Sequence, residues 1–439
     1  MRSGTNSTLI HLIAFLKMIS PRHHCRTCGS DKLSLVLDLG KTALANDFLT
    51  PPEVPGYQIC LPLRVVLCTH CSLVQLADTV DPKVLYSHYA YVTSTSKTMD
   101  THLNHLTTHL LATGRLGVGS KVLEIASNTG VFLKKFKEQG CEVLGVEPAS
   151  NIADVAIATA IPTRKEFFNA ANARRTRAEW GAADLIMGRH VFAHIDDLRD
   201  LVAGLAEVSH PETLIAFEVP YVVDFFEHTE YDTIYHEHLS YISVASIDAL
   251  VKDSPFMLSQ VDHYPIHGGS ILFHLRHRSS KVTPHPSVAE ALRQEKELRL
   301  ADPATWKAFA QRVEHIRTEL PALLRRLKAQ GKKVIGYGAS AKGNTLLNTC
   351  GITTKELDYI IDNTPFKQGK VAPGSWIPVR PPEALLADQP DYALLLAWNF
   401  APEIIHREVE YQKRGGKFIV PIPEPKVVEF SPPADASRQ

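Results

Sequence analysis

The sequence predicts an α/β protein in three parts, a small metal-held domain at the N-terminus followed by two nucleotide-binding-type (Rossmann-like) α/β domains. Three observations carry this. Two Cys-x-x-Cys pairs, Cys25/Cys28 and Cys68/Cys71, stand near the N-terminus. Two later segments, beginning near Lys121 and Lys332, each run as strand, small-residue turn, helix, second strand and terminal acid. A chain of 439 residues also exceeds one hydrophobic core, at roughly 150 residues per domain. The expected division is 1–90, 91–280 and 281–439.

Lysine plus arginine and aspartate plus glutamate both number 47. No overall field draws such a chain onto nucleic acid or an anionic membrane, which leaves a small-molecule substrate. The cysteines number 7, an odd count with four of them in pairs, which argues for a reducing cytoplasm over a secreted disulfide framework. Leu9 to Met18 is apolar but too short to span a bilayer and lacks a small-residue cleavage site, so neither a transmembrane helix nor a signal peptide is expected. Met18 is a candidate natural start, with the preceding residues an upstream extension.

The two cysteine pairs are separated by 39 residues, and each presents two thiolates close enough to share one tetrahedral ion. A closed four-thiolate shell leaves no position for water or substrate, so one structural zinc is expected, held by Cys25, Cys28, Cys68 and Cys71. Such an ion supplies on the order of 10 kcal/mol of apparent folding free energy to a segment whose own core is marginal. His23, His24 and His70 crowd the same knuckles as possible replacements for a thiolate, and Cys60 is assigned to packing.

A helical run from about Asp100 to Leu116 precedes a buried strand, Lys121 to Ile125, the turn Ala126-Ser-Asn-Thr-Gly130 and a helix over 131–139. A dinucleotide turn needs three spaced glycines against the pyrophosphate, and only Gly130 is present, so NAD is disfavoured. S-adenosylmethionine carries no phosphate, and a turn of Ala126, Ser127, Asn128 and Gly130 suffices for it. Glu124 would face its positive end. Glu147, 23 residues after Glu124 and at the end of a second strand, is placed to accept the ribose hydroxyls. The alternative is that Glu147 only caps its strand. Asp184 to Met187 and Thr213 to Val219 extend the sheet, and His190, His194 and Glu218 fall at strand ends where such folds bind ligands.

Asp232-Thr-Ile-Tyr-His-Glu-His-Leu-Ser-Tyr241 packs two tyrosines, two histidines and a glutamate into ten residues. A positioned imidazole there could take a proton from carbon beside a carbonyl, with a tyrosine or second histidine stabilising the enolate. Two other readings stay open: a metal site using His236, Glu237 and His238 with His190 and His194, and satisfied core histidines. Spacing does not separate His236 from His238, which share a face on a strand. Upstream, the tyrosine- and hydroxyl-rich stretch Tyr86 to Ser96 could close over a polyhydroxy ligand.

Lys281 to Gln330 reads as a helical connection, and Val334 to Tyr337 as a strand running into Gly338-Ala-Ser-Ala-Lys-Gly-Asn-Thr345. Free N–H groups at that turn, with Ser340 and Lys342, could hold phosphate, and Asp362 follows 24 residues after Gly338. A packing turn with a solvated lysine is the alternative. His267-Gly-Gly-Ser270 would allow close backbone approach and line the same cleft.

On the cysteine pairs, Glu124 to Gly130, Val191-Phe-Ala-His194, Asp232 to Ser243, His267 to Ser270 and Gly336 to Asn344, taken in that order, the chain resembles the nucleotide-sugar C-methyltransferases from about Cys25 to Pro425. The resemblance implies a three-domain monomer with one structural zinc and S-adenosylmethionine. It further implies methylation of carbon 3 of a deoxythymidine-diphosphate 4-keto-6-deoxy sugar. It makes His238 the base, Tyr235, Glu237, His194 and Tyr91 its neighbours, and the four knuckle cysteines the zinc ligands; Gly338, Ser340, Lys342 and His267, read from the residues themselves, are the substrate-binding candidates. Two positions depart from the family: Thr129 stands where members commonly have Asp, and His190 where many have Asn. Other readings are a sugar O- or N-methyltransferase, a zinc-scaffolded sugar-nucleotide binding protein, and a metal hydrolase.

Overall fold

The computed structural model describes residues 18–51, 58–86, 97–266 and 268–428. The chain divides into two compact units. Met1–Val36, Val65–Val223 and Glu237–Thr305 form the first, and Leu37–Arg64, Asp224–His236 and Trp306–Gln439 the second.

The N-terminal part runs through β1 (Ile19–Pro21), β2 (Leu33–Ala43), β3 (Cys60–Cys68), β4 (Val74–Leu76) and β5 (Asp78–Val80). β1 pairs with β5 and β3 with β4, both antiparallel. Cys25 and Cys28 lie in the loop between β1 and β2, while Cys68 and Cys71 close the tight β3–β4 turn.

The main sheet of the first unit is built from β6 (Lys121–Ile125), β7 (Glu142–Val146), β8 (Thr163–Arg164), β9 (Leu185–Arg189) and β10 (Leu214–Pro220), all parallel. After a short β11 (Ser240–Tyr241), which pairs with β4, the antiparallel β12 (Phe256–Tyr264) and β13 (Ser270–His277) complete it, in the order β12-β13-β10-β9-β6-β7-β8. The chain leaves β6 on one side for β7 and β8, then returns to β9 and β10 on the other. The carboxyl ends of β6 and β9 therefore flank a switch point, where open α/β sheets bind ligands.

Helix Lys97–Gly114 lays Met99, Leu103, Leu106 and Leu110, at helical spacing, onto this sheet together with Phe132, Leu133 and Phe136 from helix Val131–Glu138. Each such side chain contributes about 1.5–3 kcal/mol on burial. The expected strands appear within a residue or two of their sequence limits because each is apolar on both faces. The β12–β13 hairpin was hidden in the sequence. A bulge between Leu258 and Gln260 breaks the period of two, putting adjacent residues Leu258 and Ser259 both inside. Gly268 and Gly269, at φ 101 and 131, form the turn of this hairpin.

In the second unit the expected strand β14 (Val334–Tyr337) is followed by β15 (Ile360–Ile361), β16 (Val379–Arg380), β17 (Tyr392–Leu395), β18 (Lys417–Val420) and β19 (Lys426–Val428). Their order is β16-β15-β14-β17-β18-β19, parallel except for β19. Ile335, Tyr337, Ile361, Ala393, Leu395, Tyr411 and Phe418 fill one face. The two-sided path outward from β14 repeats the logic of β6. Among the described residues no helix is long and apolar enough to cross a membrane.

Candidate active site

The four knuckle cysteines converge. Cys25 Sγ lies 3.5 Å from Cys71 Sγ, and Cys28 Sγ lies 3.6 Å from Cys68 Sγ. Zinc–sulfur bonds of about 2.3 Å at tetrahedral angles put sulfurs roughly 3.8 Å apart, so the set fits one zinc. Both knuckles fold alike. Gly29 N–H donates to Cys25 O at 3.0 Å and Ser72 N–H to Cys68 O at 2.9 Å, with Gly29 at φ 71 and Ser72 at φ 59. Cys60, expected in packing, is exposed at the start of β3, where the strand has only just begun to be covered.

Between the first two cysteines, Arg26 is fully buried. Its guanidinium donates to Asp196 Oδ1 at 2.9 Å, Leu76 O at 2.8 Å and Thr79 Oγ1 at 2.6 Å. The zinc knuckle is thereby fastened to the segment that follows His194.

At the carboxyl end of β6 the turn threads through Ala126 at φ 55, Asn128 at φ 50 and Gly130 at φ 75. The Glu147 carboxylate closes over it, accepting from Asn128 N–H at 3.0 Å and Ala149 N–H at 2.9 Å. These two bonds run from amides of the turn and of its own strand end. Ser127 Oγ and Glu124 Oε2 are buried and make no hydrogen bond within the protein. Burial pushes the Glu124 carboxyl up to about 8, against the opposing charge of Arg189. These two buried oxygens without partners could take the ammonium and hydroxyl groups of S-adenosylmethionine.

Glu218, on β10, is enclosed by nitrogens. His102 donates a very short hydrogen bond to Oε1, Arg189 Nε donates to Oε2 at 2.8 Å, and His190 Nε2 stands 3.5 Å from Oε2. Burial alone would raise this carboxyl, yet the His102 bond and the charges of His190 and Arg189 hold it well below the usual carboxylate range. His190 sits at φ 53 with its N–H on Glu218 O at 2.8 Å, and burial pushes its imidazole pKa down. Arg189 and His102 escaped the sequence reading. A lone arginine ending the apolar run Leu185 to Gly188 was the available signal; His102 had none, lying on an ordinary amphipathic helix.

His194 and His238 come together, ring centroids 4.9 Å apart and nearly perpendicular at 85°. Backbone bonds bring this about: Leu239 N–H donates to Ala193 O at 2.7 Å, and Leu76 N–H to Leu239 O at 3.0 Å. Burial pushes the His194 imidazole down, which keeps it neutral. His236, two residues earlier, is buried with Nε2 against Pro62 O at 3.2 Å. Glu237 is buried and Tyr235 half-buried. Tyr91 and His267, and residues 87–96 of the tyrosine-rich stretch, lie outside the described residues.

In the second unit, Gly338 at φ 88 opens the turn into helix Ala341–Cys350, and Ser340 Oγ caps that helix by accepting from Gly343 N–H at 2.9 Å. Lys342 Nζ lies 3.4 Å from Glu230 Oε2 and over the Trp398 ring. Asp362 accepts from Ala339 N–H at 2.7 Å and Thr364 N–H at 2.8 Å.

Three family models match this chain: a zinc binding domain over residues 25–86, a methyltransferase domain over 97–261, and the C-methyltransferase C-terminal domain over 265–423. C-methyltransferase NovU from Streptomyces niveus is 39% identical over 413 residues, covering 94% of this chain and 98% of NovU. Among solved structures, YcgJ from Bacillus subtilis aligns at 15% identity over 41% of this chain and 100% of its own, TM-score 0.34. Magnesium protoporphyrin IX methyltransferase from Synechocystis, solved with bound S-adenosylmethionine, aligns at 13% over 40% of this chain and 78% of its own, TM-score 0.31. Full-length identity to NovU, the matched domains and the four-cysteine cluster make the chain an S-adenosylmethionine-dependent, zinc-binding member of the C-methyltransferase family.

Proposed function

We propose that this enzyme methylates carbon 3 of a nucleotide-diphosphate 4-keto-6-deoxy sugar, dTDP-linked, as a cytoplasmic monomer divided at 1–90, 91–280 and 281–439. The observation that carries the reading is the His194–His238 pair at 4.9 Å beside the carboxyl ends of the strands. S-adenosylmethionine, when bound, supplies an electrophilic methyl whose bond to sulfur breaks as carbon 3 of the sugar enolate takes it. His238 removes the carbon-3 proton, made acidic by the 4-keto group, and holds it. General-base help of this kind contributes about 10²- to 10⁴-fold. A neutral His194 against the edge of His238 adds no positive charge that would oppose protonation of the base.

In this reading Tyr235, Glu237 and Tyr91 complete the reacting centre. Glu124, Ala126, Ser127, Asn128, Gly130, Glu147 and His190 hold the cofactor. Gly338, Ser340, Lys342 and His267 are assigned to the diphosphate sugar. Replacing His238 with asparagine is expected to stop both methyl transfer and exchange of the carbon-3 proton with deuterated solvent. Retained exchange would show that another group is the base. NMR of the product is expected to show a carbon-linked methyl, and an oxygen- or nitrogen-linked methyl overturns the reading.

A further inference from the structure

We propose that His109, Asp262 and His274 form a second divalent-metal site, separate from the four-cysteine zinc. Asp262 Oδ2 lies 3.2 Å from His109 Nε2 and 2.9 Å from His274 Nε2. All three donor atoms fall within 4.8 Å of one another. First-row ions bind imidazole and carboxylate at about 2.0–2.2 Å, and tetrahedral angles then separate the donors by roughly 3.3 Å. The observed 2.9 and 3.2 Å lie close to that figure, and the His274 contact, a hydrogen bond as it stands, would open by a few tenths of an ångström to admit an ion. Among the described residues only the knuckle cysteines form another set this close.

The partners of these groups support the same reading. His109 Nε2 is buried and, though close to Asp262, makes no hydrogen bond of acceptable geometry. A buried ring nitrogen without a hydrogen bond, close to a carboxylate, is available to coordinate an ion. Gln260 Nε2 donates to both oxygens of Asp262, at 2.9 and 3.1 Å, which fixes the carboxylate as outer partners of metal ligands do. The nearby Arg276 is occupied elsewhere, donating to Glu212 O at 2.9 Å and Thr113 O at 2.7 Å. His274 is buried, while His109 and Asp262 each keep 25% of their side chains exposed. The ion would therefore have three protein ligands and an open, water-facing position. Two imidazoles and one carboxylate suit zinc or a neighbouring first-row ion better than calcium or magnesium.

The three ligands come from separate elements: helix Lys97–Gly114, β12 and β13. The same helix carries His102, the partner of Glu218, and the His102 ring packs edge-on against Tyr264 of β12. An ion at His109 would fasten the helix to the hairpin two turns beyond that contact.

The test uses tag-free, full-length protein with its cysteine zinc retained, equilibrated against zinc buffered in the micromolar range, with metal counted by mass spectrometry. Wild type is expected to hold a second zinc per chain and to gain thermal stability on binding it. His109→Ala and Asp262→Asn are expected to hold one zinc and to show no such gain. His109 and Asp262 are chosen because both are partly exposed and tolerate change better than buried His274. A wild type that stops at one zinc overturns the proposal, as does a second zinc that both variants retain.

Discussion

The two sheets solve the same problem with one backbone device and surround it with different charge. In each, an acid at the end of the second strand reaches back to the turn after the first strand. Glu147 takes the N–H groups of Asn128 and Ala149, and Asp362 takes those of Ala339 and Thr364. The neighbours then diverge. Around the first turn stand buried Glu124, with an oxygen lacking a partner, and Glu147, and the nearby Arg189 is bonded to Glu218. Around the second, Lys367 Nζ lies 3.8 Å from Asp362 and donates to Ala339 O at 2.8 Å. One turn keeps a buried carboxyl that a neighbouring sulfonium would favour as the anion, while the other is balanced internally. An acid closing the second strand therefore marks a fold device first and a ligand site only where its charge is left over.

The sharpest way to break this comparison is to remove both acids in turn. Glu147→Ala and Asp362→Ala should each cost about 1–3 kcal/mol of stability, since each strands two amides. Only Glu147→Ala should weaken S-adenosylmethionine binding, by roughly 100-fold if two charge-assisted bonds worth about 3 kcal/mol are lost. Calorimetric titration checks this. Unchanged cofactor affinity in Glu147→Ala, or an equal loss in Asp362→Ala, would erase the distinction between the turns.

A smaller effect tests the unmatched charge itself. Burial lifts Glu124 from 4.5 to about 8, so the folded protein binds a proton there that the unfolded chain releases. Its contribution to stability accordingly falls as pH rises from 4.5 through 8, where the buried carboxyl is forced to ionise. Glu124→Gln should therefore raise the melting temperature of cofactor-free protein above that range by more than the roughly 2–4 °C that about 1 kcal/mol produces, and change it little near the bottom. Because the anion attracts a cationic ligand, wild-type affinity for S-adenosylmethionine should rise with pH across the same window, and the variant's should not. A pH-independent wild type would mean that Glu124 does not face the cofactor's charge.

Much of this was legible beforehand for identifiable reasons. The strands β6, β7, β9, β10 and β14 are apolar on both faces, and a parallel sheet covered by helices leaves no other pattern. The cysteine knuckles were legible because tetrahedral zinc fixes their spacing. What the sequence concealed depends on long-range pairing. His236 and His238 could not be told apart until Leu239 paired with Ala193 and Leu76, turning His238 to His194 while His236 met Pro62. The ring of nitrogens around Glu218 joins His102, Arg189 and His190, which no local period connects. His109, Asp262 and His274 likewise meet only when the helix lies on a hairpin whose bulge disguised it.

The smallest effect concerns the glycines that open the two turns. Gly130 at φ 75 would bring an added Cβ to 2.9 Å from the Ile161 side chain, whereas at Gly338, φ 88, the nearest atom is Ala397 Cβ at 3.1 Å. Alanine in left-handed backbone costs about 1–2 kcal/mol before any clash. Gly130→Ala should exceed that figure because Ile161 must move, and Gly338→Ala should stay near it, both read from denaturant midpoints. If the glycines serve the turns as fold devices, stability falls in both while cofactor affinity follows Gly130 alone. A Gly338→Ala protein that loses S-adenosylmethionine binding would instead tie the second turn to the first site, and the two sheets could no longer be treated as separate instances of one device.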